Sequence, residues 1–223
     1  MTYTRERPSE RFTRLLALYR EMHEKGVPSQ GIAAADTFDG RSLPRHAMNI
    51  GSIIDVLGSR TILDYGAGKG HQYEDGEIRV PGGATYPNIR AFWGVDRIHC
   101  YDPGHKPFST LPAGRFDGVV STDVLEHCPK EDMAWIVAEI FGYAREFVYL
   151  NVALYPASKT LPTGENAHIT LEPVDWWKAL FDAEVARHPG LRYYAAMDRL
   201  VPGRDGRKQL EVIALRGKAP LPD

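Results

Sequence analysis

The chain has 223 residues, 43% of them hydrophobic, with 27 Lys and Arg against 29 Asp and Glu, for a formal net charge of −2. That length and composition suit a globular domain with a real core, and the balanced charge argues against a nucleic-acid binder that works through a broadly basic surface. No run of about 18 apolar residues offers a membrane span. Met1 to Glu10 lacks the apolar core of a signal peptide, and the two cysteines, Cys100 and Cys128, cannot build a disulfide scaffold, so a reduced cytoplasmic protein is expected.

Helical spacing of Phe12, Leu15, Leu16, Leu18, Tyr19 and Met22 predicts a first helix over Pro8 to Lys25, stopped by Gly26. A loop rich in Gly, Ala, Asp and Pro follows, from Val27 to Pro44. Ile50, Ile53, Ile54 and Leu57, spaced i, i+3, i+4, i+7, predict a second helix ending at Gly58. Thr61 to Tyr65 is a short β-prone run that breaks into Gly66, Gly68 and Gly70. His71 to Asn88 is turn-rich and yields no assignment. Strands are predicted over Val95 to Tyr101, Phe116 to Ser121 and Glu146 to Leu154, and helices over Pro129 to Arg145 and Pro173 to Ala183. Leu191 to Met197 and Leu210 to Leu215 suggest a terminal pair of strands. Alternating strands and helices imply an α/β fold with a mostly parallel sheet covered on both faces. Ligands in such sheets bind beyond the carboxyl ends of the strands, where strand order reverses.

The segment Ile62-Leu63-Asp64-Tyr65-Gly66-Ala67-Gly68-Lys69-Gly70 is the most informative. Alternate glycines allow a tight turn and close backbone approach to a ligand, and Asp64 can accept hydrogen bonds from it. The plain alternatives are a tight turn for the glycines and a structural cap for Asp64. A dinucleotide fingerprint needs glycine at position 71, where the chain has His71. A nucleoside-triphosphate loop needs Ser or Thr after Gly68-Lys69, where it has Gly70.

With Asp64 and the later block Phe116-Asp117-Gly118-Val119-Val120-Ser121-Thr122-Asp123-Val124-Leu125-Glu126-His127, this loop resembles the class I S-adenosylmethionine-dependent methyltransferases. The resemblance covers roughly Thr61 to Leu154. It implies a Rossmann-like three-layer sandwich over residues 46–223; residues 1–45 are read as an added N-terminal helix that forms either a lid over the cofactor or packing on the sheet. It implies S-adenosyl-L-methionine as cofactor, bound by Asp64, Tyr65, Gly66, Ala67, Gly68 and Gly70 on the first loop and by Thr122, Asp123 and Val124 after the later strand. An acid at the end of the second strand would hold the ribose hydroxyls. Asp102, which ends the run Ile98 to Tyr101, is preferred to Asp96. The stretch from Asp102 to Phe116 is too short for the family's usual helix and third strand, so its adenine contacts are not carried over.

The base-methylation block (Asp/Asn)-Pro-Pro-(Tyr/Phe) is absent, and Cys128-Pro129 reverses the Pro-Cys of cytosine C5 enzymes. The histidines and the balanced charge make a small-molecule or sugar-like oxygen acceptor the expected partner, with nucleic acid not favoured. A helix starting near Asp123 would set Asp123, Glu126 and His127 on one face. With His168, they would form a site for Mg²⁺ or Mn²⁺ that looks like the metal site of small-RNA 2′-O-methyltransferases. Without a metal, His168 suits a general base, and His127 and Asp123 complete the candidate catalytic set. Glu126 as a helix brace, His127 as a buried structural residue and His168 as an ordinary loop histidine are equally compatible with the sequence. A metal-assisted RNA 2′-O-methyltransferase and a non-catalytic cofactor-binding partner subunit stay open as alternatives. Of Trp176 and Trp177, one is expected in the core, and the other either joins it or lines a pocket.

Overall fold

The computed structural model describes residues 2–38, 40, 42–74, 76–203 and 206–219. In chain order the elements are α1 (Glu10–Lys25), α2 (Ala47–Leu57), β1 (Thr61–Tyr65), β2 (Ile78–Arg79), β3 (Thr85–Tyr86), α3 (Ile89–Trp93), β4 (Arg97–Tyr101), β5 (Phe116–Thr122), α4 (Met133–Tyr143), β6 (Ala144–Ala153), α5 (Val174–Val185), β7 (Arg192–Pro202) and β8 (Lys208–Lys218). Six strands form one sheet in the order β4-β1-β5-β6-β7-β8. Every neighbouring pair is parallel except β7 with β8, which run antiparallel. The fold is a Rossmann-like three-layer sandwich.

Side-chain alternation along the strands divides the core into two layers. Leu63, Val119, Val148, Leu150 and Tyr193 face α4 and α5, where Ile136, Ile140, Phe141, Trp177 and Phe181 are buried. Ile62, Ile98, Val120, Phe147 and Tyr149 face α2 and α3, meeting Ile50, Ile54, Ile89 and Trp93. Trp177 is core, while Trp176 is half-buried against the same cluster, with Lys130 over its ring at 5.4 Å; neither lines the main cavity. A third, smaller apolar cluster joins Leu15, Met22 and Val27 to Leu161 and Ala167. It ties α1 to the loop after β6. Ser9 caps α1 by accepting from the Phe12 N–H at 2.9 Å and is itself held by buried Asp132.

From β1 the chain crosses to β4 on one side, then returns to β5 on the other. The switch in strand order therefore lies at the carboxyl end of β1, immediately before the glycine loop. Three expectations need correction. His71 to Asn88, unassigned from sequence, holds a 3₁₀ turn and the small β2–β3 hairpin, and α3 follows it. The helix expected from Pro129 starts at Met133, after a 3₁₀ turn at Lys130–Asp132. No helix begins at Asp123: a single 3₁₀ turn, Leu125–His127, follows it, and Asp123 itself has φ 60°. No helix among the described residues is long and apolar enough to cross a membrane.

Candidate functional site

One cavity of about 520 Å³ lies beyond the carboxyl ends of β1, β4 and β5, a size suited to a small-molecule ligand. Its floor is the glycine loop. Gly66 has φ 86° and Gly68 φ 58°, a backbone that side chains rarely adopt. A Cβ on Gly66 would lie 2.3 Å from Val124 Cγ2, and one on Gly68 would lie 2.5 Å from the Phe38 carbonyl oxygen. These glycines let the loop after β5 and the N-terminal segment close onto it.

The loop's amides are already bonded within the protein. The N–H groups of Gly66 and Ala67 donate to the Tyr101 carbonyl at 2.8 and 3.0 Å, and those of Lys69 and Gly70 to the carbonyls of Phe38 and Ala67. The Gly68 N–H donates to Asp102 Oδ2 at 2.9 Å. A phosphate cradle presents free N–H groups to its anion, and this loop has none to present.

Three carboxyl groups, Asp64, Asp102 and Asp123, border this floor and its far end. Asp64 is buried; its Oδ2 accepts from the Tyr73 hydroxyl at 2.8 Å and from Gln72 Nε2 at 3.2 Å. Burial pushes its pKa up to about 7 against those two bonds. Asp102 also accepts from the Gly104 N–H at 2.8 Å, and burial raises its pKa to about 6. Asp96, the other candidate for the ribose, pairs with Arg60 before the start of β4, at the opposite end of the strand. Tyr65 borders the cavity, but its hydroxyl donates to Glu139 at 2.7 Å and accepts from Arg5. Thr122, Asp123 and Val124 also line the cavity.

At the far end, Asp123, His127 and His168 each offer a ligand atom, all within 4.8 Å of one another. His127 Nδ1 lies 2.8 Å from the Ala167 carbonyl and His168 Nδ1 2.6 Å from the Tyr155 carbonyl. A carbonyl only accepts, so both Nδ1 atoms carry the hydrogen, and in the neutral ring it is Nε2 that keeps the lone pair. His168 Nε2 is 3.8 Å from Asp123 Oδ1. Burial lowers the pKa of His127, which keeps it neutral, the form a metal takes. The residues fit a divalent ion: two imidazoles and a carboxylate suit Mn²⁺ or a later transition ion better than the oxygen-seeking Mg²⁺.

Glu126 does not join this group. With only a 3₁₀ turn here, its side chain enters the core, where Oε1 accepts from the Ala153 N–H at 2.5 Å. Burial first, then the neighbouring charge of Asp123, raises its pKa well above the usual 4.5, which favours the protonated form of this buried brace. Its carbonyl also accepts from Ile169 and Thr170, fixing the strand of loop that carries His168. Asn166 holds the same loop: its Oδ1 accepts from the N–H groups of Ala157 and His168. The Cys128 thiol lines the cavity, but burial pushes its pKa to about 12, so it stays protonated.

The roof is α1 with the loop behind it. Leu15, Tyr19 and His23 line the cavity; the Tyr19 hydroxyl donates to the His127 carbonyl at 3.0 Å. His23 stacks between Phe38 and His105, and Lys69 donates to the carbonyls of Ala34 and Thr37. The amphipathic pattern of α1 announced a buried face but not what it covers. Tyr73 and Gln72, which hold Asp64, and Arg45, on the cavity wall, carry no sequence signal of their own. No protein-family model matches the chain, and no curated protein is detectably similar to it.

Proposed function

We propose that the protein is a methyltransferase that binds S-adenosyl-L-methionine on the glycine loop and methylates an oxygen of a small or sugar-like metabolite. The observation that carries this proposal is that one cavity joins the glycine loop and its two acids to the Asp123, His127 and His168 group. The loop lacks free amides for a phosphate, so it favours a ligand held by shape and by carboxylates. In this reading Asp102 takes the ribose hydroxyls, and Asp64, once ionised, faces the sulfonium. In this proposal Asp123, His127 and His168 hold a divalent ion, which when bound would lower the pKa of an acceptor hydroxyl. Glu126 and Asn166 act only by positioning those ligands.

The test is calorimetric titration of S-adenosylhomocysteine, with NAD⁺ as control. Micromolar binding of the first and none of the second is expected; the reverse would overturn the cofactor assignment. Catalysis is then tested with oxygen acceptors in EDTA and with Mn²⁺ restored, where activity is expected only in the second.

A further inference from the structure

The cavity is electrically two-sided. Asp64 and Asp102 lie at the glycine loop, whereas the 3₁₀ turn Leu43–His46 puts Arg45 on the same wall as Thr122 and Tyr155. The Arg45 guanidinium is half-exposed. Its contact among the described residues is Nη2 to Asp198 Oδ2, at 3.4 Å. Asp198 is 1% exposed, on β7, and its Oδ1 has no hydrogen-bond partner among the described residues. A buried carboxylate of this kind fixes the guanidinium it pairs with, since separating the two would leave an uncompensated buried charge. Arg45 lines the cavity, and among the described residues no other carboxylate takes the remaining donors of its planar fork.

We propose that Arg45 is the carboxylate anchor of this cavity, so that the site takes a ligand with a carboxylate at the end remote from the glycine loop. Lys159, which also lines the cavity, fits this role less well: it is exposed, and among the described residues no carboxylate braces it. An Arg fork matches the two oxygens of a carboxylate in a bidentate pair. A phosphate fits worse: Asp198 already offsets the charge of Arg45, Asp123 is nearby, and the loop provides no free amides. Read with the proposed function, the carboxylate has two sources, the amino-acid end of the cofactor or an acidic group on the acceptor.

Wild type, Arg45→Lys and the double variant Arg45→Met with Asp198→Asn separate these sources. The Lys variant keeps the ion pair with Asp198 and loses the fork; the double variant removes both charges and leaves no buried carboxylate unpaired. S-adenosylhomocysteine and 5′-methylthioadenosine, which lacks the amino-acid group, are titrated into each. Succinate protection against thermal unfolding is measured alongside, with phosphate as control. If the anchor holds the cofactor, both variants bind S-adenosylhomocysteine about ten- to a hundredfold more weakly, while methylthioadenosine affinity stays the same. If it holds the acceptor, cofactor affinity stays the same and succinate protection, present in wild type, is lost in both variants. Unchanged cofactor affinity together with unchanged or absent succinate protection overturns the proposal. Wild type that binds no S-adenosylhomocysteine sinks the methyltransferase assignment, and the succinate comparison then decides Arg45 by itself.

Discussion

Replacing Asp64 with Asn separates what this side chain does for the fold from what it does for a ligand. Asp64 is buried, and its pKa rises from an ordinary 3.8 to about 7. A folded value above the unfolded one means that the protonated form is favoured by folding. The contribution to stability is fully present below about pH 4 and is lost as pH rises through 7. At about 1.4 kcal/mol per pH unit, the charged form costs up to about 4 kcal/mol at pH 8. Asn removes that cost. Its carbonyl oxygen can still accept from Tyr73 and Gln72, both of which donate to the same atom, Oδ2. Desolvating the new amide offsets part of the gain, so a net stabilisation of roughly 1–3 kcal/mol at pH 8 is expected. Little difference is expected near pH 4. Urea unfolding of both proteins at pH 4, 6 and 8 measures this directly. Over the same range the variant should lose less stability than wild type, keeping the slope of the other shifted groups, among them Asp102, whose pKa is about 6. In calorimetry it should bind S-adenosylhomocysteine more weakly. A variant less stable than wild type at pH 8, or one with the wild-type pH slope, would refute the account of Asp64 as a charge held for a ligand at the fold's expense.

Gly66→Ala should destabilise the protein by roughly 2–4 kcal/mol, from the positive φ and the clash with Val124. Adding Val124→Ala should recover only the steric part, as denaturant midpoints will show. Asp102→Asn should weaken S-adenosylhomocysteine binding by about 1–3 kcal/mol through the lost charge-assisted contacts, whereas Asp96→Asn at the far end of β4 should leave it unchanged; calorimetry giving the opposite pattern reverses the choice of acid. Mn²⁺ titration of EDTA-treated protein should show one ion bound. His127→Ala and His168→Ala should abolish it, and Glu126→Gln, which copies a protonated carboxyl, should retain it; loss of the ion in Glu126→Gln together with retention in His168→Ala would place the ligands elsewhere.

The sheet was legible because its strands are short apolar runs separated by helices with a clear stripe, and each carries its own local signal. The glycine loop was legible for the same reason: its geometry depends on residues that are adjacent in sequence. The direction taken by Glu126 was not. Helical spacing would have put it beside Asp123, but a left-handed Asp123 and one 3₁₀ turn send it to Ala153. That outcome is set by contact with β6, which no window around residue 126 contains. The bonded state of the loop amides depends on Tyr101, Phe38 and Asp102, which lie roughly 30 residues away on either side. Residues 71–93 form small elements whose propensities are too weak to show above their turns. The pairing of Arg45 with Asp198 spans most of the chain and leaves no periodic trace.

The small cluster of Leu15, Met22, Val27, Leu161 and Ala167 gives the molecule an uneven resistance to opening. Parting it exposes far less apolar surface than parting either layer against the sheet, so it is the seam that separates first under thermal fluctuation. The amides of α1 and of the loop over residues 154–170 should therefore exchange with deuterium as one unit, ahead of β1, β5 and β6. The seam that yields most easily is also the one that covers the candidate site, so the exchange experiment tests whether that site opens while the sheet stays intact.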